Sequence, residues 1–127
     1  MALTVDIERF RLPEELRAGV EGKRVLITGA GSKINVNAGG SELGIVEVGS
    51  QHGNGNLTVS AGGQLNVAFA SAIGEYGDAT GVATVTGAGS NWTNGGFIEV
   101  GSLGSGTLNV TAGGAVSNTY GAIGRVP

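Results

Sequence analysis

The chain has 127 residues, enough for one domain, and its composition of 26 glycines, 13% charged and 5% aromatic residues departs from average globular usage. The formal net charge of −3 is small, and the absence of a Lys/Arg cluster or aromatic platform argues against a nucleic-acid partner. The lack of cysteine excludes disulfides and thiolate metal sites, and no apolar run reaches the roughly 18 residues of a membrane span, so we expect no membrane insertion.

The N-terminal segment differs in composition from everything after it, because residues 1–24 carry ten of the chain's seventeen charged side chains. Thr4 to Leu12 alternate as a strand does, and residues 13–18 predict a short helix that Pro13 can begin and Gly19 can end. We interpret residues 1–24 as a cap or docking segment and residues 25–127 as a repeat domain. Four apolar positions of the segment are interface candidates: Val5, Ile7, Phe10 and Leu12.

From Val25 onward the sequence repeats. Residues 27–32, Ile-Thr-Gly-Ala-Gly-Ser, return as Val-Thr-Gly-Ala-Gly-Ser at 85–90, and residues 45–50 return at 97–102. Each long copy divides in two, and the four closing glycines are 25, 27 and 23 residues apart: Gly49, Gly74, Gly101 and Gly124. This spacing is typical of one solenoid turn. The sequence therefore predicts an all-β fold, a short parallel β-helix of about four coils with an N-terminal strand and short-helix cap.

Alternation within the predicted strands indicates which side chains point inward, while the Gly-Ala-Gly-Ser and Ala-Gly-Gly segments predict corners. Trp92 aligns with Ile34, Leu65 and Val116, which favours a core position. The other predicted core residues are Val46, Val48, Val59, Ile73, Val85, Ile98, Val100, Val110 and Ile123.

Residues 85–94, Val100-Gly101 and residues 106–114 resemble the autotransporter-associated β-helix repeat of bacterial surface and secreted proteins. The resemblance covers about residues 24–124. It implies a right-handed parallel β-helix that is exported or particle-borne and used for display or adhesion.

Few residues of the chain are candidates for catalysis, cofactor binding or metal binding. Residues 25–32 look like the glycine-rich opening of a short-chain dehydrogenase, but Lys33 and Asn35 replace its later glycines, so we predict a corner and no cofactor. Glu47 and Glu99 should share one outer wall roughly 10 Å apart, and we interpret them as solvated carboxylates. His52 has no evident partner for catalysis or metal binding. We therefore predict no catalytic residue, no metal site and no enzyme.

Outward apolar and aromatic residues are candidates for contacts. Ile45 and Phe97 align on one wall and favour a homo-oligomer, a trimer in our interpretation. Tyr76 and Tyr120 are predicted in corners as candidate glycan contacts, although ordinary surface tyrosines are the preferred interpretation.

The expected function is structural. The first ten residues lack a secretion signal, and with a separate docking segment this favours a virion protein: a phage tail spike, tail fibre or capsid decoration that displays the rod for surface attachment. Its partners would be other virion or cell-surface structural proteins. The alternative is a passenger fragment of an autotransporter-type adhesin at the bacterial surface or secreted. A polysaccharide-cleaving spike is disfavoured because no carboxylate cluster in a groove is evident.

Overall fold

The computed structural model describes residues 4–7, 24–29, 31–36, 44–50 and 52–124. Within these ranges the chain forms strands joined by turns and bends and contains no helix, which confirms the predicted all-β fold. Residues 13–18, where a short helix is predicted, and the interface candidates Phe10 and Leu12 lie outside the described residues.

The strands come in four sets of three, and each set forms one coil of a solenoid. The first coil comprises β2 (Arg24–Thr28), β3 (Lys33–Val36) and β4 (Ile45–Val48), and the second comprises β5 (Asn54–Ser60), β6 (Gln64–Val67) and β7 (Ala70–Ile73). The third comprises β8 (Thr80–Thr86), β9 (Asn91–Asn94) and β10 (Phe97–Val100), and the fourth comprises β11 (Ser105–Thr111), β12 (Ala115–Ser117) and β13 (Tyr120–Ile123). One further strand, β1 (Thr4–Ile7), precedes them.

Equivalent strands of successive coils pair in parallel and form three sheets. The first sheet has the order β2-β5-β8-β11, the second β1-β3-β6-β9-β12 and the third β4-β7-β10-β13. Four coils therefore stack through three coil-on-coil interfaces, which confirms the predicted parallel β-helix. β2 is followed by β3 and not by a helix, so the dehydrogenase-like glycines of residues 25–32 form a corner, as predicted.

The N-terminal strand belongs to the stack. β1 pairs in parallel with β3, with Val5 opposite Ile34 and Ile7 opposite Val36, and so extends the second sheet by one strand. The interface candidates Val5 and Ile7 lie on this strand. The division of the chain at residue 24 stays a prediction.

The core lies between the three sheets, and its register is the predicted one. Ile34 pairs with Leu65, Leu65 with Trp92 and Trp92 with Val116. Trp92, the largest side chain of the core, is completely buried. Seven other residues predicted inward are also buried: Val46, Val48, Val59, Ile73, Val85, Ile98 and Val100. Alternation was sufficient to predict these directions because a parallel coil keeps the two-residue period of a strand.

Two predicted core residues are exposed, which corrects that part of the prediction. Val110 is 45% exposed and Ile123 is 85% exposed, although Val85, the register partner of Val110, is completely buried. The reason is their place in the stack, since β11 and β13 are terminal strands of their sheets. Alternation predicts the side to which a side chain points, whereas burial also requires a coil above it.

The closing glycine of each coil is required by the backbone. All four have positive φ, between +65° at Gly124 and +70° at Gly49. At Gly74, where φ is +68°, a Cβ would also collide with the carbonyl oxygen of Ser105 on the fourth coil. Glycine is therefore needed there both for the turn and for the close approach of the next coil.

We expect Gly74→Ala to lower the free energy of unfolding by about 2–4 kcal/mol, because it combines left-handed backbone strain with a backbone collision. Gly77→Ala is the matched control, since a Cβ at Gly77 meets nothing within 4 Å. That variant should stay within about 0.5 kcal/mol of the parent protein. Urea unfolding followed by circular dichroism measures both, and equal stability of the two variants would contradict this account of the corner.

Candidate functional site

The outward side of the third sheet carries the densest group of aromatic and acidic side chains in the described residues, and we call it the third-sheet face. Its first outward position holds Ile45 on β4, paired with Ala70, and Phe97 on β10, paired with Tyr120. Its second holds, in register, Glu47, Ala72, Glu99 and Ala122. The predicted equivalence of Glu47 and Glu99 is confirmed, and two strand spacings place their backbones roughly 10 Å apart.

Three aromatic side chains line one edge of the third-sheet face. The rings of Phe69 and Phe97 meet edge to face, with their centroids 5.9 Å apart and their planes at 76°. Phe69 is 39% exposed and Tyr120 is 65% exposed. This arrangement is a favourable geometry of an aromatic pair. Phe97 is the register partner of Tyr120, so the three aromatic residues lie on three successive coils.

The structure shows where the predicted contact residues lie and how exposed some of them are. Phe97 and Ile45 take outward positions but are half-buried. Tyr120 lies on β13 and not in a corner, which corrects the prediction, whereas Tyr76 does lie in the bend between β7 and β8. Phe69 was not found from the sequence because it lies between β6 and β7, where strand alternation gives no signal.

A buried asparagine holds the backbone beneath the aromatic pair. Asn94 is 3% exposed, and its Oδ1 accepts a hydrogen bond of 2.6 Å from the hydroxyl of Ser71. Its Nδ2 donates to the carbonyl oxygens of Phe69, at 3.2 Å, and of Phe97, at 2.7 Å. One side chain thus links two adjacent coils at the residues that carry the aromatic rings. The register partner of Asn94 on β6 is Val67, so this polar link is specific to one coil-on-coil interface.

We expect Asn94→Val to lower the free energy of unfolding by about 2–3 kcal/mol, because it leaves the buried Ser71 hydroxyl and the two carbonyl oxygens without this partner. Asn109→Val is the control, since Asn109 is exposed on β11 and makes only a 3.4 Å contact with Thr84. The control should change stability by less than about 0.5 kcal/mol in the same urea titration. Adding Ser71→Ala to Asn94→Val should restore part of the loss, and a further drop would contradict the assigned network.

A cluster of three carboxyl groups lies on the third-sheet face and in the bend beside it. Glu75, in the bend after β7, hydrogen-bonds Glu47 and also lies in the electrostatic field of Glu99. Burial, followed by the negative charge of Glu47, raises the pKa of Glu75 above its ordinary value of 4.5, and a hydrogen bond from the Tyr76 hydroxyl acts in the opposite direction. The charge of Glu75 in turn raises the pKa of Tyr76. The arrangement therefore favours the protonated form of the Glu75 carboxyl group.

The raised pKa of Glu75 makes stability depend on pH. The folded chain holds this proton more tightly than the unfolded chain, so the contribution of Glu75 is fully present below pH 4.5 and is lost as pH rises through the folded pKa. We expect Glu75→Gln to remove that decline in urea midpoints measured from pH 4 upward. Asp78→Asn, at a carboxyl outside this cluster, should leave the decline in place, and an unchanged profile in Glu75→Gln would contradict the assignment.

His52 has a partner, which corrects the interpretation of a lone loop residue. Its Nδ1 lies 2.6 Å from the Oδ1 of Asp78, which follows 26 residues later in the corner of the next coil. The hydrogen bond to His52 lowers the pKa of Asp78. Because the two side chains are 85% and 72% exposed, the pair adds little to stability. The pair could not be predicted from strand alternation, since the two corners differ in length.

The described residues do not form a metal site, since no three His, Cys, Asp or Glu side chains among them are placed to hold an ion. In the same ranges no helix is long and apolar enough to cross a lipid bilayer.

Comparison with known proteins gave no match: no family model, no curated protein and no solved structure is significantly similar to the chain. The resemblance to the autotransporter-associated β-helix repeat therefore stays a prediction from the residues quoted above. Inference about function depends on the outward sides of the three sheets.

Proposed function

We propose that the chain is a non-enzymatic structural module, a stiff β-solenoid that attaches to a surface through its third-sheet face, with glycans as the ligand class. The observation that carries this proposal is the exposure of Tyr120 on the third sheet, on the strand next to the one that carries Glu99, with the exposed ring of Phe69 against Phe97 at the edge of the same face. Exposed aromatic groups on an otherwise small and polar surface typically mark contact sites.

The chemistry of the third-sheet face suits a sugar polymer. An exposed aromatic ring offers an apolar surface to the C–H groups of a pyranose, and a carboxylate accepts hydrogen bonds from its hydroxyls. Tyr120 and Glu99 lie on neighbouring strands as diagonal neighbours, roughly 7–8 Å apart, because Tyr120 is opposite Phe97 and Glu99 is opposite Ala122. Asn94 holds the backbone of Phe69 and Phe97, so the aromatic edge of this face is pre-organised and loses little entropy on binding.

The spacing of the acidic residues supports a binding role over hydrolysis. Glu47 and Glu99, at roughly 10 Å, are too far apart for a retaining glycosidase and at the limit for an inverting one. Glu75 also hydrogen-bonds Glu47, so this carboxyl group is already engaged within the cluster. Incubation with polysaccharides should therefore release no reducing ends.

A phage particle and a bacterial surface would both use such a module for attachment. In a phage tail spike, tail fibre or capsid decoration, residues 1–24 would dock on the particle and the solenoid would face the host. In an autotransporter-type adhesin, the same solenoid would be one part of a longer surface passenger. Mass spectrometry of purified phage particles and of bacterial surface fractions separates the two, and detection in neither would overturn both placements.

We expect Tyr120→Ala to weaken binding to a polysaccharide that the parent chain binds by about tenfold, because the exposed ring supplies a large part of a small contact. Thr107→Ala is the matched control, since Thr107 is also exposed on the fourth coil but lies on the first sheet. Biolayer interferometry against a panel of immobilised bacterial surface polysaccharides provides the measurement. Failure of the parent chain to bind the panel, or equal loss in both variants, would overturn the glycan assignment.

A further inference from the structure

We propose that the outward side of the first sheet binds ice, through a regular array of hydroxyl groups that holds water molecules in the arrangement of an ice lattice. The ligand is thus crystalline water, and the site lies on a different sheet from the third-sheet face. This inference goes beyond the proposed function and does not depend on what the third-sheet face binds.

The outward side of the first sheet consists almost entirely of hydroxyl and amide side chains. β5, β8 and β11 are the longest strands of the described structure, with seven residues each, and alternation points four side chains of each strand outward. Eleven of these twelve side chains carry a hydroxyl or an amide group, and Val82 is the exception. We call the twelve outward residues of these three strands the hydroxyl array.

The hydroxyl array is regular in two directions. Thr86 lies opposite Ser60 on one side and Thr111 on the other, and Thr84, two residues earlier, belongs to the neighbouring row. Residues of one row are one strand spacing apart, roughly 4.8 Å, and neighbouring rows are two residues apart, roughly 6.6 Å. Hexagonal ice repeats its oxygen atoms at similar distances along the two axes of its prism faces. Water bound to this array is therefore spaced to join such a face.

Contacts between coils hold the hydroxyl groups in place. The hydroxyl of Thr111 donates a hydrogen bond of 2.9 Å to that of Thr86, and such a side-chain ladder favours a flat sheet. Beneath the array, the inward side chains Ala83 and Val85 of β8 are completely buried, so the strand is fixed from below. Each hydroxyl is both a donor and an acceptor and keeps capacity for water. A rigid array of this kind orders water at little entropic cost.

The hydroxyl array carries no charge. None of the outward residues of β5, β8 and β11 is Asp, Glu, Lys or Arg, whereas the second sheet has Lys33 at an outward position and the third has Glu47 and Glu99. A charged side chain keeps its own hydration shell and does not fit the uncharged lattice of ice. The distribution of charge therefore favours the first sheet over the other two as the ice-binding side, and disfavours a charged polymer as its ligand.

The contact with ice is multivalent. Three strands of seven residues make the array roughly 10 Å wide and 20 Å long, so many weak hydrogen bonds through water form together. Loss of one hydroxyl removes only a small part of this contact. A long charged side chain at the centre, by contrast, separates the whole array from the ice surface, and it is therefore the informative substitution.

The test is the growth and recrystallisation of ice in solutions of the full chain, followed by microscopy, with thermal hysteresis measured on the same samples. Ice binding predicts faceted crystals and inhibited recrystallisation. Thr84→Lys should abolish both effects, since it places a long charged side chain at the centre of the hydroxyl array. Circular dichroism should show a retained fold, because Thr84 points outward from β8.

Thr93→Lys is the matched control, because it makes the same substitution on the same coil, at an exposed outward position of the second sheet. Its effect on ice should equal that of the parent chain. Ice that grows and recrystallises with the parent chain as it does in buffer, or an equal loss in the two lysine variants, would overturn the proposal. Tyr120→Ala should leave ice binding unchanged. Loss of ice binding in that variant would also overturn the proposal, since it would place the contact on the third-sheet face.

Discussion

The in-register pairing of each coil with the next is the constraint on which the rest of the structure depends. Each coil must place its three strands parallel to those of the coil before it. A shift of one residue in the pairing would exchange the inward and outward side chains of a whole strand. No such slip occurs between the second coil and the third, because seven consecutive residues of β5 pair in register with seven of β8. The corners therefore carry the stringent sequence requirements, and the glycines recur there.

Not all corners are equally constrained. The turn between the first and second sheets contains three or four residues in every coil, whereas the connection from the third sheet back to the first contains between four and six. The connection from the second sheet to the third contains two residues in the last three coils but eight between β3 and β4. Further length differences are absorbed in the connection from the third sheet back to the first, outside the strands, so the register is unaffected. The side chains with individual chemistry are concentrated there: His52, Glu75, Tyr76 and Asp78. The variable corner adjoins the third sheet, which explains why the candidate site lies on that face.

This division between repeated strands and variable corners also explains what could be predicted. The inward valines, the position of Trp92 and the equivalence of Glu47 and Glu99 follow from a period of about 25 residues and strand alternation alone. The contact of His52 with Asp78 could not be predicted, because it joins corners of unequal length. The clustering of Glu75 with Glu47 could not be predicted either, because Glu75 lies in a corner, outside the strand alternation. The exposure of Val110 and Ile123 was missed for another reason, since alternation contains no information about which coil is terminal.

The link between Asn94 and the two phenylalanines illustrates how unequal copies fit together. Where the second coil has Val67-Ala68-Phe69, the third has Asn94-Gly95-Gly96. A Cβ at Gly95 or Gly96 would collide with the carbonyl oxygen of Ala68 or Phe69, so the two turns lie backbone on backbone. Burying an amide in place of a valine costs free energy, and three hydrogen bonds offset that cost. In return, the third coil lies close enough for the ring of Phe97 to meet that of Phe69. The local loss of the repeat thus creates the aromatic edge, while the register that the repeat imposes keeps that edge aligned with the carboxylates.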